Sequence, residues 1–489
     1  MKRLACLAVF IFFSTLVANG QTSGDFQYVL NGAAITITGY TGPGGNVTIP
    51  GSISGLSVTS IGDNVFYNRA VTKITIPGTI TNIGANAFTM CQFSTVTIPG
   101  SVISMGNNAF SGCQYLLNVT ISSGATSIGV GAFAGCPLLG SVTIPSTVTT
   151  IGANAFGGCV LLGSITIPVG VMTIGGGAFA GTSLHNVAVP GSVTNIGNQV
   201  FQNCNMLTNV TLSYGVISIG DAAFQNCSNI ANSITIPGSV ISIGNGAFEH
   251  CVHLAAATLS YGVISIGNAA FDYCVSLRNV TIPASVGTIG SGAFSNCVSM
   301  TNLTIAGGSI GNGAFFGCKS LTGISITDGV TSMGNNAFFG CVKLTSVTVP
   351  GSCTSIGNSA FSSCSNLVSA TICNGVTSIG NSAFFGCPSL SNLAIPNSVT
   401  NIGSSAFKAC TSLTTLMIPG SVSSIGSNAF YDCSNLTTLD ISNGVVSIGN
   451  SAFYDCSSLA TLSIPNSVTS IGANAFYNCY GLTATSNII

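Results

Sequence analysis

The sequence contains no tryptophan and very little charge: eight Lys and Arg, nine Asp and Glu, together 3% of 489 residues. That excludes a nucleic-acid surface, which needs a basic stripe to neutralise phosphates. Histidine is scarce too, with three in the whole chain. No nucleophile–base pair and no phosphate loop can be assembled, so the chain reads as a non-enzyme with no cofactor. Long hydrophobic runs are missing beyond the first twenty residues, although the mean hydropathy is +0.65. Gly, Ser, Thr or Asn interrupts each run well short of the roughly 18 residues that would span a bilayer. Solubility therefore rests on hydroxyl and amide groups.

The N-terminus carries the exception. Lys2 and Arg3 precede an apolar stretch, Leu4 to Val17, and Ala18-Asn19-Gly20 supplies small residues before Gln21. This is the layout of a secretory signal peptide over residues 1–20, and it places the mature chain outside the cell, secreted or at the cell surface. Cys6 lies inside the apolar stretch, too early to serve as a lipid-attachment residue. Loss of the two basic residues moves the net charge from −1 to about −3.

What the sequence has in abundance is repetition. A Phe recurs at 66, 88, 110, 133, 156, 179, 201, 224, 248, 271, 294, 315, 338, 361, 384, 407, 430, 453 and 476. The period is about 23 residues, within the range that marks stacked repeats. In one unit, Leu413-x-x-Leu416-x-Ile418 puts Leu416 and Ile418 on one face of a short strand. Pro419 cannot donate to a ladder and ends it, and Gly420-Ser421 turns the chain. Val422 and Ile425 form a second apolar segment closed by Gly426. The spacing of Ala429, Phe430 and Cys433 then suits one helical or 3₁₀ turn. One unit cannot bury its own apolar residues, but stacked units can. The expectation is a β-rich solenoid, a leucine-rich-repeat superhelix of about 19 repeats of about 23 residues, with parallel strands and short helical or 3₁₀ turns. At about 4.8 Å per strand it would run roughly 90 Å.

The strand ending in Ile-Pro, followed by Ile-Gly, Ala-Phe and Cys, resembles the BspA-like (Treponema-type) leucine-rich repeats. The resemblance covers about residues 56–482. It implies a curved solenoid on secreted or surface proteins, mostly bacterial, some of them adhesins, and it implies no particular ligand. Residues 21–55 do not fit the repeat. Phe26 to Leu30, Ala34 to Thr38 and Val47 to Ile49 read there as strands of an N-terminal β cap. Residues 483–489 read as a C-terminal tail.

Seventeen of the twenty cysteines occupy one position, three residues after the Phe. Equivalent side chains in stacked coils lie a coil spacing apart, farther than a disulfide's Cβ atoms prefer. Cys410, Cys433 and Cys456 therefore belong to a buried thiol ladder beside a core of Phe88, Phe110, Phe133, Phe156 and Phe430. Thr182 replaces one member of the ladder. Cys353 and Cys373 fall off it, near enough in register for a bridge to be considered. Glu249, His250, His253 and Asp272 are the residues of a type able to ligate a divalent metal; the alternative is that they decorate an exposed corner, and the sequence reads as having no metal site.

Outward positions on the first strand carry Thr and Asn with great regularity. Thr97, Asn118, Thr120, Thr143, Thr166, Asn209, Thr211, Asn279, Thr281, Asn302 and Thr304 define a two-column polar ladder, although β-branched Thr also simply suits exposed strands. Such a face would select an extracellular protein or polysaccharide, weakly and many times over. It lacks aromatic anchors, which lie instead at corners bearing Tyr67, Tyr214, Tyr261, Tyr431 and Tyr454. Residues 212–220 reappear unchanged at 259–267. The functional expectation is a binding protein, for adhesion or protein and glycan interaction. The alternatives are a self-associating structural protein, or ice or mineral binding by the Thr ladder.

Overall fold

The computed structural model describes residues 20–482. Within them the chain winds as a parallel β-solenoid, a typical coil contributing a first strand of about four residues and a second of about two. In the coil holding Phe271, the first strand is Ala256–Leu259 and the second Ser265–Ile266. Alternation buries Ala257 and Leu259 and exposes Thr258, as a period of two requires. Each second strand pairs in parallel with its neighbours, Ser265 opposite Ser242 and Thr288, Ile266 opposite Ile243 and Ile289. One sheet of 16 such strands runs unbroken from Ser127–Ile128 to Ser470–Ile471.

Of the helical or 3₁₀ turn expected on the third side of the coil, only the 3₁₀ hydrogen bonds are present, and on alternate residues. No helix is present among the described residues, and the segment from Gly267 to Cys274 is a ribbon of successive turns. The backbone N–H groups of Ala269, Phe271 and Tyr273 donate to the next coil, to Ser291, Ala293 and Ser295. Those of Ala270, Asp272 and Cys274 donate back three residues, the 3₁₀ pattern, at 3.4, 3.0 and 3.2 Å. A helix would turn every N–H inward. Here a left-handed residue at every fourth position, Ala269 (φ 52°) and Tyr273 (φ 56°), aims alternate donors at the neighbouring coil. That conformation costs an L-residue about 1 kcal/mol, and the bond between coils offsets it. Asn holds the equivalent place in many coils (Asn86, Asn108, Asn154, Asn428), being one of the few side chains at ease there.

Inside, the Phe column is a continuous stack. Phe66 and Phe88 lie 5.0 Å apart between centroids, and consecutive rings follow at up to 5.5 Å as far as Phe476. Phe88, Phe110, Phe133, Phe156 and Phe430 are all fully buried. Beside them runs the thiol column, with Cys410, Cys433 and Cys456 equally buried. These thiols do more than fill space: each Sγ donates to the carbonyl of the Phe one coil back, Cys433 to Phe407 and Cys456 to Phe430, both at 3.4 Å. Where Thr182 interrupts the column, its hydroxyl donates to Phe179 O at 2.8 Å and sits 3.3 Å from Cys204 Sγ. All nineteen described cysteines are free. Cys353 and Cys373 are among them, with Cys353 Sγ bonded to Ser355 O at 3.3 Å. Burial pushes the Cys251 and Cys387 thiols up to about 12.

Two further columns tie coil to coil. After each second strand comes a Gly whose would-be Cβ meets the coil before: at Gly267 it would lie 2.5 Å from the carbonyl carbon of Gly244. Next along, Asn side chains hand hydrogen bonds forward. The N–H of Asn268 donates to Asn245 Oδ1 and that of Ser291 to Asn268 Oδ1, both at 2.8 Å. Asp221 takes the same role for Asn245.

At the N-terminal end, β1 (Gln21–Ser23), β2 (Phe26–Asn31) and β3 (Ala34–Tyr40) form an antiparallel meander. β3 then pairs in parallel with Leu56–Ile61, taking the place of a preceding coil. Tyr40 sits 5.1 Å from Phe66 in a tilted contact, with Phe26 packed against it at 5.3 Å, so the cap's rings continue the Phe column. The expected signal peptide over 1–20 and the tail over 483–489 lie outside the described residues, apart from Gly20.

Candidate binding surface

The first strands carry the polar ladder. Their alternation leaves Thr97, Asn118, Thr120, Thr143, Asn209, Thr211, Asn279, Thr281 and Asn302 exposed and Thr304 half-buried. Register aligns them: Thr97, Thr120 and Thr143 sit on successive rungs, as do Thr258, Thr281 and Thr304. The rows are not one continuous face, however. First strands associate in groups of two, three, two, five, three and three. Thr166 falls in a gap, because residues 164–167 form no strand. That gap lies beside the unit from Phe179 to Phe201, which is one residue short. The gap between Asn209–Leu212 and Ser233–Ile236 lies beside the unit from Phe224 to Phe248, which is one residue long. Breaks also separate Gly323–Ile326 from Ser346–Val349 and Asn392–Ala394 from Thr415–Ile418, where the units are a regular 23 residues, so coil length alone does not set them.

The metal-type residues are brought to one region but not to one point. Glu249 and Asp272 occupy equivalent positions on neighbouring coils, each just after a core Phe. Glu249 accepts from Gln225 Nε2 at 2.5 Å and lies 3.7 Å from His250 Nε2. The His250 ring stacks on Tyr273 at 4.9 Å. His253 Nδ1 meets the Ser228 carbonyl at 2.7 Å, and Asp272 accepts from Asn296 at 3.4 Å. Partial burial raises the Asp272 carboxyl above its ordinary range, with Glu249 adding a smaller repulsion. Among the described residues no three such groups converge to hold a metal ion.

Two surface features were not legible as units in the sequence. The position after each core Phe forms a column along the ribbon. It holds the Phe316–Phe339 pair (5.1 Å), Lys408 over the Tyr431 ring (4.3 Å), and the stack Tyr431–Tyr454–Tyr477 at 4.9 and 5.0 Å. Reading down the repeat register at that one position would have revealed it. The second feature is an apolar ridge two residues after the ladder cysteine, where Tyr115, Leu138 and Leu161 stand exposed on successive coils, flanked by Leu117 and Val160. In later coils that position is mostly Ser, Asn, His or Lys.

A parallel-stranded solenoid with buried Phe, Leu and Cys columns defines the leucine-rich-repeat class. The family model for the BspA type leucine rich repeat region matches residues 46–161, 126–255, 230–308, 307–407 and 377–487. The chain therefore belongs to the BspA-type leucine-rich-repeat family. It is similar to a leucine-rich repeat protein of Bacteroides ovatus, at 24% identity over 95% of this chain and 93% of that one, with a TM-score of 0.48. It also resembles a leucine rich cell surface protein of Faecalibacterium prausnitzii, at 27% identity over 88% and 96%, with a TM-score of 0.36. A comparison with curated protein sequences gives no match. No helix among the described residues is long and apolar enough to cross a membrane.

Proposed function

We propose that this chain is a secreted or cell-surface binding protein that engages an extracellular protein or polysaccharide through its solenoid surface and performs no catalysis. The observation that carries the reading is the polar ladder: Thr and Asn side chains aligned rung by rung and exposed, while the Phe and Cys columns are stacked inside. A periodic face of weak donors and acceptors gains affinity by repetition and not from a single pocket. The export pattern at Lys2, Arg3 and Leu4 to Val17 supports an extracellular setting. The reading is tested by immobilising the protein against a panel of matrix proteins and polysaccharides, beside a variant with Thr97, Thr120 and Thr143 changed to Lys. Dose-dependent binding weakened by the triple change is expected; no binding to any panel member would refute it.

The Tyr115–Leu138–Leu161 ridge favours a second reading, self-association or a protein partner, since contiguous exposed apolar surface is costly unless covered. Light scattering checks it: a concentration-dependent mass abolished by Leu161→Lys is expected, and a monomer at all concentrations would refute self-association. Ice or mineral binding is less well supported, because a lattice needs a flat unbroken array and the first-strand rows are interrupted.

A further inference from the structure

Tyr214 and Tyr261 are 80% and 77% exposed, among the most exposed of the large side chains. They occupy the same corner of two coils with one coil between them, and that coil carries Gly238 at the matching place. Both corners are fixed in the same way. The following glycines are left-handed, Gly215 at φ 115° and Gly262 at φ 126°. Their N–H groups donate to Ser239 Oγ at 3.0 Å and Ser285 Oγ at 3.1 Å on the next coil. Neither tyrosine stacks on another aromatic ring among the described residues, so their faces are open. In the Tyr431–Tyr454–Tyr477 column, by contrast, neighbouring rings cover one another.

Spacing indicates the ligand. One coil step in this region is 5.2 or 5.1 Å, measured on the buried Phe224, Phe248 and Phe271 rings. The second strands that follow these corners, Ser218–Ile219, Ser242–Ile243 and Ser265–Ile266, pair in unbroken register, so two steps put the two corner backbones about 10 Å apart. An extended β-1,4-linked polysaccharide repeats its disaccharide on that scale, presenting alternate sugar rings with the same face toward one side. The apolar faces of pyranoses pack on aromatic rings. Ile217, Ile241 and Ile264 continue an exposed apolar strip along the same three coils, and neither LSYGVIS segment nor the IPGSVIS between them holds a charge. An uncharged surface with that period fits a neutral glycan chain, which carries its disaccharide repeat and its apolar ring faces along its whole length.

We propose that Tyr214 and Tyr261 form a two-ring platform for a neutral, linear β-1,4-linked polysaccharide. The proposal rests on the surface-binding reading above and names one ligand class and its place. The test is affinity electrophoresis of the whole protein in gels containing hydroxyethylcellulose, with dextran as the control. Retardation by hydroxyethylcellulose alone is expected. Tyr214→Ala and Tyr261→Ala should each weaken it at least about tenfold, as for aromatic anchors; the double variant should abolish it and Tyr214→Phe preserve it. Unretarded migration of the wild type, or full retardation of the double variant, overturns the proposal. The protein panel separates the two readings. Binding to a panel protein without binding to the glucan leaves the surface-binding reading standing and removes the platform. Binding to nothing removes both. Loss of panel-protein binding in the double variant, with no glucan retardation of the wild type, makes the pair a protein-docking site and overturns the polysaccharide assignment.

Discussion

Phe315 and Phe316 are adjacent in the chain, chemically identical, and each stacked on a ring of the next coil. Phe315 lies 5.1 Å from Phe338 at an interplanar angle of 7°; Phe316 lies 5.1 Å from Phe339 at 4°. They differ in burial: Phe315 is fully inside and also touches Phe294 at 5.4 Å, whereas Phe316 is 38% exposed. If burial holds the solenoid together, Phe315→Ala should cost about 4 kcal/mol, the transfer term plus the cavity left between two rings. Phe316→Ala should cost about 1 kcal/mol, the scale of one aromatic pair. Coils couple to their neighbours, so unfolding need not be two-state. Urea titration by circular dichroism is therefore best combined with hydrogen exchange, which should show lost protection spreading from Phe315 into the coils of Phe294 and Phe338. Equal losses for the two variants would overturn this account and assign stability to stacking geometry instead of removal from water.

Other expectations follow from the columns. Gly267→Ala forces a Cβ to 2.5 Å from backbone and should destabilise by several kcal/mol, while Gly140→Ala, with nothing nearer than 3.9 Å, should be close to neutral in thermal unfolding. Asn268→Ala removes the acceptor of the Ser291 N–H at an exposed site and should cost about 1 kcal/mol, with Asn268→Asp tolerated because Asp221 already does this work. The thiol ladder predicts alkaline unfolding. Burial raises Cys251 and Cys387 from 9.0 to about 12, so above pH 9 the unfolded chain loses these protons while the folded chain keeps them. Stability is then full below pH 9 and falls as pH rises toward 12, by about 1.4 kcal/mol per pH unit for each such thiol. A pH titration of ellipticity checks this, and Cys251→Ala with Cys387→Ala should flatten the slope; an unchanged slope would count against it.

Much of the coil could be read from the chain because its signals are local and repeated nineteen times. Leu416 and Ile418 alternate, Pro419 stops the strand, and Phe430 and Cys433 recur in step, so errors in one unit are corrected by the others. The third side is less legible, since a spacing of one to four residues fits a helical turn, a 3₁₀ turn and a ribbon of left-handed turns alike. The distinguishing signal was present: Asn or Gly is frequent two residues before the core Phe and two after it, as at Asn108 and Gly112, both with positive φ. The surface was harder to read. Thr97 and Thr120 are legible as outward residues, but the breaks between rows fall beside regular and irregular units alike and depend on how neighbouring coils stack.

The amino-acid pattern alone dictates the solenoid, its repeat length and the residues that fill it, because binary patterning and turn chemistry act within one coil and stacking follows from the need to bury that pattern. The surface is instead a product of assembly. Whether Tyr431 and Tyr454 cover one another, whether Tyr214 and Tyr261 keep their faces open, and whether Glu249, His253 and Asp272 converge all depend on side chains from different coils. Distances of that kind are set by the step between coils, which no single unit encodes.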